Sequence, residues 1–234
     1  MKRSNVWSVL AMVGVGLAVT AARGNTLELN PSADAGLSQQ GGGTAYGLNN
    51  YLSSWADFGA NDQEWGLLKF DLTSITPAST VTSATLTLTI ANPFTLGTTH
   101  NSASSPDGDY AYLHLMTHDW SEATVSYNDV SGSNYSTWVN SGVTIQGSPL
   151  SGLPTTVTFD VTSLIAAWRS DAASNFGVFL GGASGNRWGY FSRESSTGKP
   201  VLSLTGSISQ VPEAGTLSLL VLGALLAARR TRKA

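Results

Sequence analysis

The sequence predicts an all-β protein, an antiparallel two-sheet sandwich of the jelly-roll-like kind with one short helix. Charged residues make up only 12% of the 234 residues, about half of the roughly 25% that is usual in soluble domains. Serine, threonine and glycine together supply 81 residues, which disfavours long helices and favours short strands joined by turns. The clearest segment also alternates apolar and hydroxyl side chains with a period of two.

The first 24 residues are predicted to be a secretory signal peptide. Lys2 and Arg3 precede an uncharged apolar run over residues 6–19, and small residues follow. The alternative is an N-terminal membrane helix, which is disfavoured because the run is short for about 30 Å of hydrocarbon. We therefore expect an exported protein that is cleaved between Ala21 and Gly24.

The body, residues 25–206, is predicted to form the sandwich. Residues 81–91 place Ala84, Leu86 and Leu88 on one face and threonines on the other, as a half-buried strand requires. Turn-forming residues bound eight further predicted strands: 46–53, 65–72, 110–116, 124–127, 155–160, 176–180, 188–192 and 201–205. The long connections are expected at residues 36–43, 92–108, 128–142 and 183–186.

One helix is predicted over residues 161–170. Val161, Leu164, Ile165 and Trp168 follow the i, i+3, i+4, i+7 spacing of an amphipathic helix. Because the surrounding segments are predicted strands, we expect this helix to pack across a sheet edge or end.

The charge and cysteine content of the chain exclude several functions. Residues 25–212 carry 14 carboxylates and five cations, a net charge of −9 that the whole-chain value of −3 conceals. Such a body repels phosphate backbones, so we expect no nucleic-acid partner. The chain has no cysteine, which excludes disulfides, thiolate catalysis and cysteine-ligated metal centres.

Residues 207–234 are expected to form a flexible lead and a sorting tail. An apolar run over residues 216–228 precedes a basic stretch at 229–233, and a 13-residue helix would reach only about 20 Å. An acidic proline motif, this run and the basic stretch together resemble the PEP-CTERM sorting tail of Gram-negative bacteria. The tail residues that carry the resemblance are Val211, Pro212, Glu213, Arg229 and Arg230.

That resemblance implies processing by export machinery, namely signal peptidase and an exosortase-like protease. It also implies transient membrane association through the tail, and a final location at the cell surface or in the extracellular matrix.

Five short motifs in the body follow one another in a recognisable order. They lie at residues 66–72 (GLLKFDL), 84–90, 120–128 (WSEATVSYN), 159–168 and 191–202 (FSRE ahead of PVL). Together they resemble the DNRLRE family of secreted bacterial β-sandwich domains, which are related in pattern to carbohydrate-binding modules. The resemblance covers about residues 26–205. It implies a jelly-roll-like module attached to enzymes or surface proteins, with carbohydrate binding in some relatives.

Aromatic residues near polar stretches are the candidates for glycan binding, because a ring face contacts sugar C–H groups while its edge keeps a hydrogen-bonding group. The alternative for each of them is core packing, which we also expect for Trp65, Trp120 and Trp168. The glycan-binding candidates are Trp55, Trp138, Trp188, Tyr46 and Tyr135.

Asp107 and Asp109 are the candidate calcium ligands, since calcium takes six to eight hard oxygen ligands. The alternative is that this Asp-Gly-Asp sequence forms a simple turn. His114 and His118 would be about 13 Å apart on one strand, too far to share a metal. Arg193 and Glu194 are expected to form a local ion pair or hydrogen bonds at the end of a sheet.

No catalytic motif is evident, and we predict no catalytic residues. The chain contains neither a Gly-x-Ser-x-Gly elbow nor a phosphate-binding loop. We therefore favour a non-catalytic structural or adhesive component of the cell surface or exopolysaccharide matrix. The main alternative is a glycan-binding module with an aromatic platform, and the third is a polysaccharide lyase or hydrolase.

Overall fold

A computed structural model describes residues 24–44, 47, 50–57, 62–91, 110–149, 155–182 and 188–211. Within these ranges the strands form two antiparallel sheets, which confirms the predicted all-β sandwich. The strands are β1 (Asn25–Leu29), β2 (Ala33–Ser38), β3 (Tyr51–Asp57), β4 (Asp62–Lys69), β5 (Thr80–Thr89), β6 (Tyr110–Met116), β7 (Val139–Pro149), β8 (Thr156–Asp160), β9 (Val178–Gly182), β10 (Trp188–Phe191) and β11 (Val201–Ser207). The helices are α1 (Tyr127–Val130), α2 (Tyr135–Trp138) and α3 (Thr162–Ser170).

The smaller sheet has the strand order β1-β11-β5-β8. In β5 the predicted alternation is confirmed, because Ala84, Leu86 and Leu88 are buried. Leu86 lies opposite Leu202 of β11 on one side and Phe159 of β8 on the other. These side chains form the apolar inner face of the smaller sheet.

The larger sheet has the order β10-β3-β4-β9-β6-β7, and β2 also pairs with β4. Its inner face meets the smaller sheet through buried residues such as Leu68, Leu113 and Leu180. At Gly147 of β7 a Cβ atom would lie 2.8 Å from the Phe159 ring, so only glycine permits this contact. The main core therefore lies between the sheets, where their side chains interdigitate.

Helix α3 confirms the helix predicted near residues 161–170. Leu164, Ile165 and Trp168 are its buried residues, and all three join the inter-sheet core. Two further helices of one turn each, α1 and α2, were not predicted. No helix among the described residues combines the length and apolar character that crossing a bilayer requires.

The strand predicted at residues 124–127 is wrong. The segment is a turn that leads into α1 at Tyr127. The Asp129 carboxylate accepts hydrogen bonds from the backbone N–H and the hydroxyl of Ser126, at 2.8 Å each. This capping box fixes a helix start, and it overrides the β propensity of the Thr-Val-Ser-Tyr sequence.

Two predicted connections also contain regular structure. Residues 36–38 belong to β2, and residues 128–142 include both short helices and the first residues of β7. Neither β1, β2 nor β7 was predicted. At the other end, β11 runs to Ser207 and Gln210 forms a bridge with Ile75, so the fold continues past residue 206. The connections expected at 92–108 and 183–186 lie outside the described residues.

Candidate functional site

The outer face of the larger sheet carries a second apolar cluster, distinct from the inter-sheet core. It includes Leu37, Trp65, Leu67 and Phe179 from the strands. Residues 117–138, which we call the cover segment, lie against this cluster and contribute Trp120, Val125, Tyr127 and Val130. The core positions predicted for Trp65, Trp120 and Trp168 are confirmed by exposures of 8%, 9% and 3%.

Aromatic rings hold the cover segment on the sheet. The rings of Trp65 and Tyr127 stack with centroids 4.7 Å apart. Trp120 donates a hydrogen bond from Nε1 to the carbonyl of Phe176 at 2.8 Å, and Tyr127 donates one to Oε1 of Gln63 at 3.1 Å. The polar ends of the Trp120 and Tyr127 rings are thereby satisfied, and the covered part of the outer face is a structural layer.

A different surface lies beside the cover segment. We define the open face as the outward side chains of Tyr112, His114, Thr144 and Gln146, together with Gly181. In the strand register, His114 lies between Phe179 and Thr144, and Tyr112 lies between Gly181 and Gln146. Thr144 and Gln146 are exposed, whereas Tyr112 and His114 are half-buried.

His114 is the central polar group of the open face. Its ring centroid lies 5.8 Å from that of Phe179, and its Nδ1 lies 3.2 Å from Oγ1 of Thr144. Burial lowers the pKa of His114 below its usual value of 6.5, so the imidazole is neutral at neutral pH. A neutral imidazole presents one donor and one acceptor, which suits hydroxyl ligands better than anions.

Of the predicted glycan-binding residues, Tyr135 borders the open face through Phe179, and Trp138 lies on the same outer cluster. Tyr135 is half-buried and meets Phe179 edge-on, with centroids 5.5 Å apart, while burial raises the pKa of its hydroxyl. Trp138 is half-buried at the end of α2 and stacks on the ring of the exposed His118. The two ring centroids are 5.4 Å apart, and the angle between the ring planes is 19°. Both residues also pack against the outer cluster, so each ring has a buried and an accessible part.

The other predicted aromatic residues lie elsewhere. Trp188 is half-buried on β10, packs against the inter-sheet core and keeps its Nε1 buried without a hydrogen-bond partner. Trp55 lies on β3 opposite Glu64, and its side chain is outside the described residues. Tyr46 is also outside them. The structure thus places Tyr135 and Trp138 along one cluster and Trp188 on the opposite side of the sheet.

A second polar site joins three segments near the start of β2. Asp34 of β2, Glu122 of the cover segment and Glu194 of the turn after β10 form what we call the carboxylate cluster. One oxygen from each lies within 4.8 Å of the others. Arg193 Nε lies 2.7 Å from Glu194 Oε1, which confirms the expected ion pair, and 3.1 Å from Glu122 Oε1.

Asp34 is the buried member of the carboxylate cluster, with 1% of its surface exposed. Its Oδ2 accepts a hydrogen bond from the backbone N–H of Arg193 at 2.7 Å, whereas its Oδ1 has no partner. Loss of hydration on burial is the main cause that raises the pKa of Asp34 to about 8. The negative charges of Glu194 and Glu122 and a side-chain hydrogen bond with Glu194 contribute to this rise, and the backbone hydrogen bond from Arg193 opposes it. A buried carboxylate in this setting requires a counter-ion or a proton.

Sequence reasoning missed the carboxylate cluster, because Asp34 and Glu122 are separated by 88 residues. The predicted calcium ligands Asp107 and Asp109 lie outside the described residues, as do the tail residues Pro212, Glu213, Arg229 and Arg230. Val211 is described: it is 48% exposed, and its backbone N–H donates to the carbonyl of Ser74.

An antiparallel sandwich with a face of half-exposed aromatic and polar side chains has the design of a carbohydrate-binding module. Comparison with known families agrees: residues 25–206 match carbohydrate-binding module family 96. The match spans most of the chain, which therefore belongs to this family. The curated proteins include no sequence that matches the chain.

Proposed function

We propose that this chain is an exported, non-catalytic polysaccharide-binding protein, and that the open face with Tyr135 and Trp138 is its binding surface. Membership of a carbohydrate-binding module family carries the proposal. The open face offers rings for the apolar face of a sugar, and a hydroxyl, an amide and a neutral imidazole for its hydroxyl groups. Apolar contacts with a few polar groups that fix orientation are usual at ligand sites.

Trp55, Trp188 and Tyr46 remain further candidates for contact with a long polymer. The signal-like N-terminus and the PEP-CTERM-like tail support an adhesive or structural role at the surface or in the exopolysaccharide matrix of a Gram-negative bacterium. Export through signal peptidase and an exosortase-like protease is part of the same proposal. Cell fractionation tests it, because recovery of the unprocessed chain in the cytoplasm would contradict export.

Affinity electrophoresis tests binding and its location. The full chain, purified in mild detergent because both ends carry apolar runs, is run through native gels containing neutral or acidic polysaccharides. We expect retardation by at least one polymer. His114→Ala, Tyr135→Ala and Trp138→Ala should each weaken it by roughly 5–10-fold, the effect of losing one aromatic or polar contact of about 1 kcal/mol.

Tyr51→Ala is the matched control. Tyr51 is a 36% exposed tyrosine of the same sheet, placed on β3 and separated from β6 by β4 and β9. Retardation that is lost in Tyr51→Ala and retained in Tyr135→Ala would place binding elsewhere. Release of new reducing ends from any polymer in the panel would contradict a non-catalytic role.

A further inference from the structure

The carboxylate cluster holds more negative charge than its protein partners neutralise. Asp34, Glu122 and Glu194 carry three negative charges when ionised, and the only cationic side chain that the described residues place among them is Arg193. With the single positive charge of Arg193, the ionised cluster has a net charge of −2. Because Asp34 is buried and the other two carboxylates are half-buried, a net charge of this size is unfavourable unless an ion compensates for it.

Two oxygens of the carboxylate cluster also lack a partner. Asp34 Oδ1 and Glu194 Oε2 are both buried and accept no hydrogen bond. Two other oxygens of the cluster have partners: Asp34 Oδ2 accepts from the backbone N–H of Arg193, and Glu122 Oε1 accepts from the backbone N–H of Asp34 at 3.1 Å. Since buried oxygens are nearly always satisfied, the two orphan oxygens indicate that a metal cation, or a proton shared between Asp34 and Glu194, compensates for the charge of the cluster.

The geometry points to a metal ion, and we propose that Asp34, Glu122 and Glu194 bind one calcium ion. The three oxygens lie within 4.8 Å of one another, as ligands on one calcium must when each lies 2.3–2.6 Å from it. A divalent cation neutralises the net charge of −2, whereas a single shared proton would leave −1. Carboxylate oxygens are hard ligands that suit calcium, and water completes a shell of six to eight.

The bound ion ties together three segments that are distant in the sequence. Asp34 lies on β2, Glu122 begins the turn that leads into α1, and Glu194 follows β10. The backbone near Glu122 is tightly packed, because a Cβ atom at Gly47 would lie 1.9 Å from the Glu122 carbonyl oxygen. Calcium therefore anchors the start of the cover segment to the sheet. This inference rests on the carboxylate cluster and does not depend on glycan binding.

Thermal unfolding of the full chain, purified in mild detergent and stripped with a chelator, tests the proposal. Calcium chloride at about one hundred times the dissociation constant should raise the melting temperature by roughly 5–10 °C. Asp34→Asn and Glu194→Gln should abolish this shift, because each removes a ligand charge while keeping the side-chain shape. Glu28→Gln is the matched control: Glu28 is an exposed carboxylate on β1, and its removal should leave the shift intact.

Titration calorimetry and terbium luminescence provide measurements on the unaltered chain. Calcium should bind with a stoichiometry of one, and terbium emission excited through the aromatic residues should fall when calcium is added. Calcium at about 10 mM exceeds the dissociation constants usual for extracellular calcium sites. The proposal is overturned if this concentration gives neither a heat of binding nor a shift of the melting temperature. It is equally overturned if Asp34→Asn and Glu194→Gln both keep the full shift, since the ion would then bind elsewhere, for example at Asp107 and Asp109.

Discussion

The inner and outer faces of the larger sheet come from the same strands, yet they have different roles. On the inner face, Leu52, Leu113 and Leu180 are at most 1% exposed and meet the smaller sheet. On the outer face, the cover segment closes one part, and the open face keeps exposed Thr144 and Gln146. Because Thr144 and Gln146 are exposed in the described structure, they retain their hydration and can remain available for a ligand. The difference separates the stabilising face from the proposed binding face.

Phe159→Ala should give the largest loss of stability and sharpen this comparison. Phe159 lies on β8 of the smaller sheet. Its ring is 1% exposed and packs against Gly147 on the inner face of the larger sheet. We expect the free energy of unfolding to fall by about 3–5 kcal/mol, as for other buried phenylalanines. Urea denaturation measures it. Tyr135→Ala on the outer face should cost much less stability while weakening glycan retardation; equal losses of stability in the two variants would break the distinction between the faces.

A smaller effect is expected from the buried hydroxyl pair of the inner face. Tyr190 is fully buried, and its hydroxyl lies 3.1 Å from Oγ of Ser54. Tyr190→Phe should lower the free energy of unfolding by about 1–3 kcal/mol, because the Ser54 hydroxyl then loses its partner in an apolar layer. Burial also raises the pKa of Tyr190, so the pair stays neutral at all ordinary pH values.

The double variant Tyr190→Phe with Ser54→Ala provides the control for that measurement. Removing both hydroxyls eliminates the unsatisfied group. The loss of unfolding free energy in the double variant should therefore be smaller than the sum of the losses in the two single variants. Strict additivity in the unfolding free energies would show that the two hydroxyls do not interact.

Local periodicity explains which elements could be predicted. In β5 and α3 the sequence itself carries the period, because one face is buried and the other is exposed. Strand β2 lacks this signal: both Asp34 and Leu37 are buried, and Gly36 looks like a turn residue. In β7, Ser141, Gly142 and Gly147 likewise suggest a connection, although Gly147 is required by the close approach of Phe159.

The candidate sites were harder to predict, because tertiary contacts create them. Tyr135 and Trp138 could be proposed from their residue types, but not the neighbouring His114, whose contacts with Phe179 and Thr144 depend on strand register. The carboxylate cluster has no local signal. By contrast, α1 could have been found, since Ser126 and Asp129 have the spacing of a capping box.

The smallest effect should come from the ion pair between the outer face and the cover segment. Lys69 Nζ on β4 lies 2.6 Å from Oδ1 of Asp119, and these side chains are 27% and 67% exposed. Solvent screens such a pair, so Lys69→Ala should lower the free energy of unfolding by at most about 1 kcal/mol at neutral pH. Lys199→Ala, at an exposed lysine outside the pair, is the matched control.

The pH dependence of the Lys69 variant identifies the cause of that effect. The hydrogen bond from Lys69 holds the pKa of Asp119 below its usual value of 3.8. A carboxylate whose pKa is lower in the folded state stabilises the fold above the unfolded pKa, and this contribution disappears as the pH falls through the folded value. The difference between wild type and Lys69→Ala in urea denaturation should therefore shrink below pH 3.8. A difference that persists unchanged there would assign the effect to packing of the lysine stem, and the Lys69–Asp119 ion pair would then contribute nothing to holding the cover segment.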